Sequence, residues 1–378
     1  MKHAFSFVLY ACCCLVMLQC QQSQTAVKTG SKETIVRYAG GFSIQTGNQY
    51  SLVTVRNPWP KATQTYTYVF AKKNAVVPDS LSRFPIIQVP VKRVVATSTT
   101  HLPSLDLLGE SKSLIGFPNL NYISSPNIRT RIEQGKVAEL GSNQQMNTEL
   151  LLNLRPDVII GYGIDNKNTG LELVQKSGMA VVFNGDWNEQ SPLGKAEWIK
   201  FFGVLYSKEA EAEKQFNQIE KAYLATVELA KKATKKPTVL SGAMYQDQWY
   251  LPQGESWAAQ FIAAAGGTYL WKDSPGSGSL ALPFESVYEK AAQADFWIGP
   301  AQFTSYQEMA QSSSHYSQFK AYQQRKMATF STKKGKTGGL IYYELAPNRP
   351  DLVLQDLVKI LHPELLPHYQ LYFFAPLR

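Results

Sequence analysis

The chain reads as an α/β protein of two lobes, each with a central, mostly parallel sheet, bridged by a single long α-helix, with extra β-strands at the N-terminal end. Three observations lead there. Short apolar runs recur between helical segments, at Val94-Val95-Ala96, Leu114-Ile115-Gly116, Val158-Ile159-Ile160 and Val181-Val182-Phe183. Such runs are strands covered by helices on both faces. The same grammar resumes at Thr238-Val239-Leu240 and Phe296-Trp297-Ile298. Between the two sets, Lys208 to Lys236 holds no Gly or Pro, and Phe216, Ile219, Tyr223, Thr226, Val227 and Ala230 share one helical face.

Taken in order, residues 1–19 pair Lys2 with an apolar stretch from Ala4 through Leu18 and read as a signal peptide. All four cysteines (Cys12, Cys13, Cys14, Cys20) fall in or just after it, so the exported chain carries no disulfide framework. Cys20 closes the apolar run ahead of Gln21-Gln22-Ser23-Gln24-Thr25. Either it is the lipidated N-terminus of a lipoprotein, or the signal is an ordinary one cleaved nearby. The lipoprotein reading puts the body outside the cytoplasm, in a periplasmic space, on a lipid anchor alone. Residues 20–41 are expected to be a tether and lead-in. Residues 42–205 form the N-terminal lobe, and its opening, Phe42 to Phe70, reads as two or three antiparallel strands around the Asn57-Pro58-Trp59-Pro60 turn. The linking helix is placed at 206–236, stopped by Lys235-Lys236-Pro237, and the C-terminal lobe at 237–378.

The lobes share a local module. Glu149 and Glu285 each stand in the first turn of a helix, and each helix leads to an aspartate (Asp157, Asp295) just before a buried strand. Local physics gives the glutamates a role against the helix dipole, and their matching places suggest paired docking points.

Composition narrows the function. The formal charge is +9, much of it in clusters such as Lys231-Lys232, Lys235-Lys236 and Lys333-Lys334. An exported protein meets little nucleic acid, so these read as a solvated basic surface, favoured near anionic lipid or an anionic ligand. A G-x-S-x-G elbow, an H-E-x-x-H helix and a G-x-x-x-x-G-K-[ST] loop are all missing. The wide spacing of His101, His315, His362 and His368 argues against a dedicated zinc site. No cofactor is expected.

Further motifs carry a resemblance. Pro90-Val91-Lys92-Arg93-Val94-Val95 with Leu105-Asp106-Leu107-Leu108-Gly109, Leu154-Arg155-Pro156-Asp157, and Glu197-Trp198-Ile199-Lys200-Phe201-Phe202-Gly203 come in the first half. Ser256-Trp257-Ala258-Ala259-Gln260, Ala265-Gly266-Gly267, Phe284-Glu285-Ser286-Val287, Arg349-Pro350-Asp351 and His362-Pro363-Glu364-Leu365 follow. In this order, over residues 85–378, they resemble substrate-binding proteins of ABC transporters for iron chelates (siderophores), haem or cobalamin. The resemblance implies two lobes on one helix, a monomer, a ligand held between the lobes, and partners in an ABC permease with its ATPase. It also implies that Glu149 and Glu285 meet arginines of the permease. Residues 42–75 extend beyond the family's usual opening.

The loops expected at the cleft are aromatic: Phe117, Tyr122, Tyr162 and Trp187 from the first lobe, then Tyr245, Trp249, Trp271, Phe303 and Tyr343 from the second. A corrin, a porphyrin or a catechol chelate would stack on such walls. Arg349, with Arg129 and Arg131, could meet ligand carboxylates or form surface ion pairs. His101 follows a strand where an open sheet presents its ligand crevice; it caps the next helix, stacks on a ring, or ligates haem iron. The competing functions are a lipid-anchored enzyme acting on a bulky aromatic substrate and a chaperone-like partner of an outer-membrane receptor.

Overall fold

The computed structural model describes residues 32–34, 36–163 and 169–378. The expected signal peptide and lipidation site Cys20 lie outside the described residues. No helix among the described residues is long and apolar enough to cross a membrane.

The described part of the lead-in, residues 32–34 and 36–41, is docked on the body. Strand β1 (Lys32–Thr34) pairs antiparallel with β2 (Phe42–Thr46). Between them the amides of Arg37, Tyr38 and Ala39 donate to the buried Glu197 carboxylate at 2.9, 2.7 and 3.0 Å. With β3 (Tyr50–Arg56), β4 (Thr65–Lys72) and β5 (Ile86–Val89) these strands form a five-stranded sheet in chain order. The first four are antiparallel, and β5 runs parallel to β4. Alternation does the folding here: Phe42, Ile44, Val53, Val55, Tyr68 and Phe70 are buried, while Thr54 and Thr67 pair their hydroxyls at 3.2 Å on the other face.

The first lobe proper is a parallel sheet of β6 (Val94–Ala96), β7 (Leu114–Phe117), β8 (Ala138–Glu139), β9 (Val158–Gly161) and β10 (Val181–Phe183). Its order is β10-β9-β6-β7-β8. The apolar runs of the sequence are these strands.

The linking helix spans Glu209–Ala230, about 33 Å long at 1.5 Å per residue, and buries Ala212, Phe216, Ile219, Tyr223, Thr226 and Ala230. It stops short of Lys236. Continuing it would set Lys231 over Lys235 and Lys232 over Lys236, like charges four residues apart that destabilise a helix.

In the second lobe β11 (Thr238–Ser241) is followed by a hairpin, β12 (Ala243–Tyr245) and β13 (Gln248–Pro252), then β14 (Thr268–Tyr269) and β15 (Ser279–Leu282). After these come β16 (Phe296–Ile298), β17 (Met327–Thr329) and β18 (Ala375–Pro376). The main sheet runs β14-β11-β16-β17-β18, parallel except for β18, and β12-β13-β15 form a small antiparallel sheet beside it. Gly242 makes the turn between β11 and β12 possible: its φ is +77°, and a Cβ there would lie 1.9 Å from the Tyr250 carbonyl oxygen.

The shared module is real at the level of bonds. Asp157 accepts the amides of Lys92 and Arg93 ahead of β6, and Asp295 accepts the amide and hydroxyl of Thr238 at the start of β11. Each aspartate ties the helix before its own strand to the first strand of its lobe.

The lobes meet along a seam of polar contacts. Glu344 of the helix Ile341–Leu345 accepts the amides of Ser124 and Ser125, which open the first-lobe helix Pro126–Glu133. Asn348 accepts from the Ser104 hydroxyl at 2.9 Å and donates to the Thr100 carbonyl at 2.9 Å. Thr337 donates to the Asn121 carbonyl at 2.8 Å. Thr100 and Asn121 lie just past β6 and β7, and Thr337 lies past β17, so the carboxyl ends of both sheets face the seam.

Candidate ligand-binding cleft

In an open α/β sheet the ligand crevice forms where the strand order reverses, outside the carboxyl ends. In the first lobe that point lies between β6 and β9. Thr97 fixes it, donating its hydroxyl to the Ile160 carbonyl at 3.2 Å and accepting the Tyr162 amide at 2.7 Å. In the second lobe it lies between β11 and β16, whose exits are joined by the Gly242 amide on the Gly299 carbonyl at 3.1 Å.

The first-lobe wall is an aromatic pair. Tyr162 and Trp187 meet edge to face with ring centroids 5.7 Å apart, and the indole N–H of Trp187 donates to the Gly163 carbonyl at 3.1 Å. Beneath them Lys195 donates to the carbonyls of Asp186 and Trp187 at 3.1 and 2.6 Å. Its ammonium lies 5.3 Å from the centroid of Trp257 in the second lobe, so one cation touches both sides of the cleft. Burial lowers the Lys195 pKa to about 8, against the pull of Asp186 and Glu189.

The second-lobe wall holds two neighbouring cavities. The larger, about 820 Å³, is lined by Met244, Tyr245, Tyr250, Gln302, Phe303 and Glu308. The smaller, about 220 Å³, is lined by aromatics including Trp257, Phe330, Tyr342 and Tyr343. Phe330 stacks on Tyr342 at 4.3 Å, and Gln302 donates to the Tyr343 hydroxyl at 3.3 Å, linking the two cavities.

Of the residues expected at the cleft, Tyr162, Trp187, Tyr245, Phe303 and Tyr343 stand on these walls. Tyr122 is exposed at the seam, its carbonyl against Gly339. Four others are core. Phe117 ends β7 inside the first lobe, and Trp249 is fully buried, stacked on Trp297 at 5.1 Å. Trp271 is buried in the second-lobe core. His101 is completely buried beside Phe202, with neither ring nitrogen hydrogen-bonded and Nε2 4.0 Å from Asp186. No ligand can reach it in this arrangement, and burial lowers its pKa despite Asp186. Arg349 is committed to Asp351 through two bonds of 2.9 and 2.8 Å. Arg129 donates to the Leu120 carbonyl, and Arg131 to those of Lys112 and Leu114. Among the described residues no group of three or more His, Cys, Asp or Glu is placed to hold a metal ion.

Two lobes on one helix, with their strand ends facing a shared aromatic cleft, are the architecture the sequence resemblance implied. Residues 94–332 match the model of the family described as periplasmic binding protein. The chain belongs to that family. Among its relatives is an uncharacterized lipoprotein of Methanocaldococcus jannaschii, 28% identical over 300 residues that cover 77% of this chain and 70% of the relative. The periplasmic haem-binding protein of Vibrio cholerae has the same fold, with a TM-score of 0.57 and 18% identity over 72% of this chain and 99% of that one. The petrobactin-binding protein of Bacillus subtilis gives 0.54 and 15% over 71% and 92%.

In this periplasmic binding protein Glu149 and Glu285 are exposed in the first turns of the helices Thr148–Leu154 and Phe284–Ala291. Neither carboxylate has a hydrogen-bond or ion-pair partner among the described residues. Four cleft residues escaped the sequence reading: Tyr250, Trp257, Phe330 and Lys195. Period two along β13 marks Tyr250, since Trp249 and Leu251 point inward. Trp257 and Lys195 carried no signal, because their pairing crosses the seam.

Proposed function

We propose that this periplasmic binding protein is a lipid-anchored carrier that captures an iron chelate, haem or a corrinoid between its lobes and hands it to an ABC permease. The observation that carries the reading is the cleft itself: Tyr162 and Trp187 on one side, and Tyr245, Phe303 and Tyr343 on the other, at the reversal points of both sheets. Flat conjugated ligands gain offset stacking and apolar burial on such walls. The haem-binding and petrobactin-binding proteins that share its fold support that ligand class, and the lipoprotein among its relatives supports an anchor at Cys20. Glu149 and Glu285, at matching helix starts and without partners among the described residues, support a partner with two related surfaces. On this reading the protein returns its ligand unchanged and performs no turnover.

The test is to purify the chain without residues 1–20, identify any coloured ligand by absorbance and mass spectrometry, and titrate haemin, cyanocobalamin and a ferric catecholate. One of them should bind stoichiometrically and be released intact. Tyr162→Ala and Tyr343→Ala should each weaken binding by about 1–3 kcal/mol. Chemical conversion of the ligand, or unchanged affinity in both variants, contradicts the reading.

A further inference from the structure

The family match begins at residue 94, so the five-stranded sheet of β1–β5 lies wholly ahead of it. Beyond packing its buried face on the helices that follow, with Phe42 on Trp198 at 4.5 Å and Phe70 on Phe201 at 6.2 Å, it makes a dense set of contacts with the segment from Phe183 to Glu189 that carries Trp187. The Phe183 amide donates to the Tyr68 hydroxyl at 3.0 Å, and Trp59 packs edge-on against the Phe183 ring at 5.2 Å. Gly185 lies so close to Pro58 that a Cβ would come within 2.8 Å of the proline Cα. Asn188 donates its side-chain amide to the Asn57 carbonyl at 2.9 Å. The Glu189 carboxylate accepts the amides of Gly40 and Gly41 at 3.1 and 2.6 Å, and the Trp198 indole N–H at 3.2 Å.

A cover for the exposed edge of β10 would need contacts along Val181–Phe183 only. Here the contacts run on past the strand, through Gly185, Asn188 and Glu189, on both sides of Trp187. We infer that the added sheet is a splint for the cleft: through Pro58 and Glu189 as positioning residues it fixes the Asp186–Asn188 turn, and so sets how Trp187 meets the ligand. This rests on the reading of the cleft as the binding site. A loop that holds its aromatic in the bound geometry before the ligand arrives avoids ordering it on binding, which raises affinity and sharpens selectivity.

The test uses the chain from residue 21 onward. Gly185 has φ of −111°, which alanine tolerates, so Gly185→Ala acts only as a wedge against Pro58. Glu189→Ala removes the acceptor for Gly40 and Gly41, whereas Glu189→Gln keeps one oxygen. Thr54→Val, on the outer face of the same sheet, is the control. Hydrogen exchange at the amides of 185–190 is read beside titration with haemin and cyanocobalamin. Gly185→Ala and Glu189→Ala should speed exchange at the turn about tenfold. They should also weaken the probe that the parent chain binds by about fivefold or more. Glu189→Gln should lie between, and Thr54→Val should match the parent. Unaltered exchange at the turn overturns the splint, and faster exchange with unaltered affinity overturns its role in binding. If the parent takes neither probe, the ferric catecholate replaces them; if it takes none of the three, the proposed ligand class is what fails, and exchange alone still decides the splint.

Discussion

His101 and Glu344 are buried ionisable groups that pull stability in opposite directions as pH changes. Burial lowers the His101 pKa, so below its ordinary value of about 6.5 the unfolded chain takes a proton that the folded chain refuses. Its contribution is therefore present above that pH and lost on acidification. Burial raises Glu344 to about 7, against the amides of Ser124 and Ser125, with Asp106 pushing the same way. The folded chain keeps that proton where the unfolded chain has released it, so stability falls as pH rises from the ordinary glutamate range to about 7. Relative to the parent, His101→Leu should gain stability as pH drops from about 7 to 5, and Glu344→Gln should gain it as pH rises over that window, each by at most about 1.4 kcal/mol per pH unit. Urea midpoints at three pH values check both signs. Identical slopes in all three proteins would contradict the assigned pKa directions. Neither residue was legible as buried from sequence. Glu344 sits beside exposed Tyr343 in a short helix, and the amides it accepts belong to a first-lobe turn more than two hundred residues away. Trp249 misled for a different reason. It stands among Gln246, Asp247 and Gln248, which read as a loop, yet that stretch ends in a strand whose alternation sends Trp249 inward and Tyr250 out.

Among the elements, the parallel strands were legible because strands covered on both faces must be apolar throughout, and the linking helix because its stripe keeps a helical period. The small sheet β12-β13-β15 was not, since Gly242 and a long excursion separate strands that pair only in the folded lobe. The lead-in hid its role similarly. Residues 36–41 look like tether, but the amides of Arg37, Tyr38 and Ala39 converge on Glu197, which also pairs with Lys200 at 2.9 Å. Removing a buried carboxylate that satisfies three amides leaves those amides unmet, although Lys200 keeps its pairing with Glu213 at 2.8 Å. Glu197→Ala should therefore cost about 3–5 kcal/mol, and Glu197→Gln less. Denaturant unfolding would show it, with faster hydrogen exchange in residues 36–46 ahead of the global transition. A loss below about 1 kcal/mol would mean the lead-in is held elsewhere.

For the whole molecule, the repeated module made two lobes legible, but their closing contacts were not, because Glu344 and Asn348 bond to distant first-lobe residues across the seam, where Lys195 also meets Trp257. The module also places Glu149 and Glu285 at matching helix starts, one on each lobe, exposed and without a partner among the described residues. A carrier that docks through both lobes at once reads the spacing between them, and a carboxylate on each supplies register more than affinity. Exposed charges far from packed cores alter stability little, so reversing both should leave the fold and the cleft intact. Glu149→Lys combined with Glu285→Lys should keep the melting temperature within a few degrees and the ligand affinity within about twofold. It should nevertheless abolish ligand uptake by cells that depend on the protein. Either single variant should retain part of the uptake, since one of the two contacts survives. Full uptake by the double variant would leave the glutamates with nothing beyond their interaction with the helix dipoles, typically about 0.3–1 kcal/mol each.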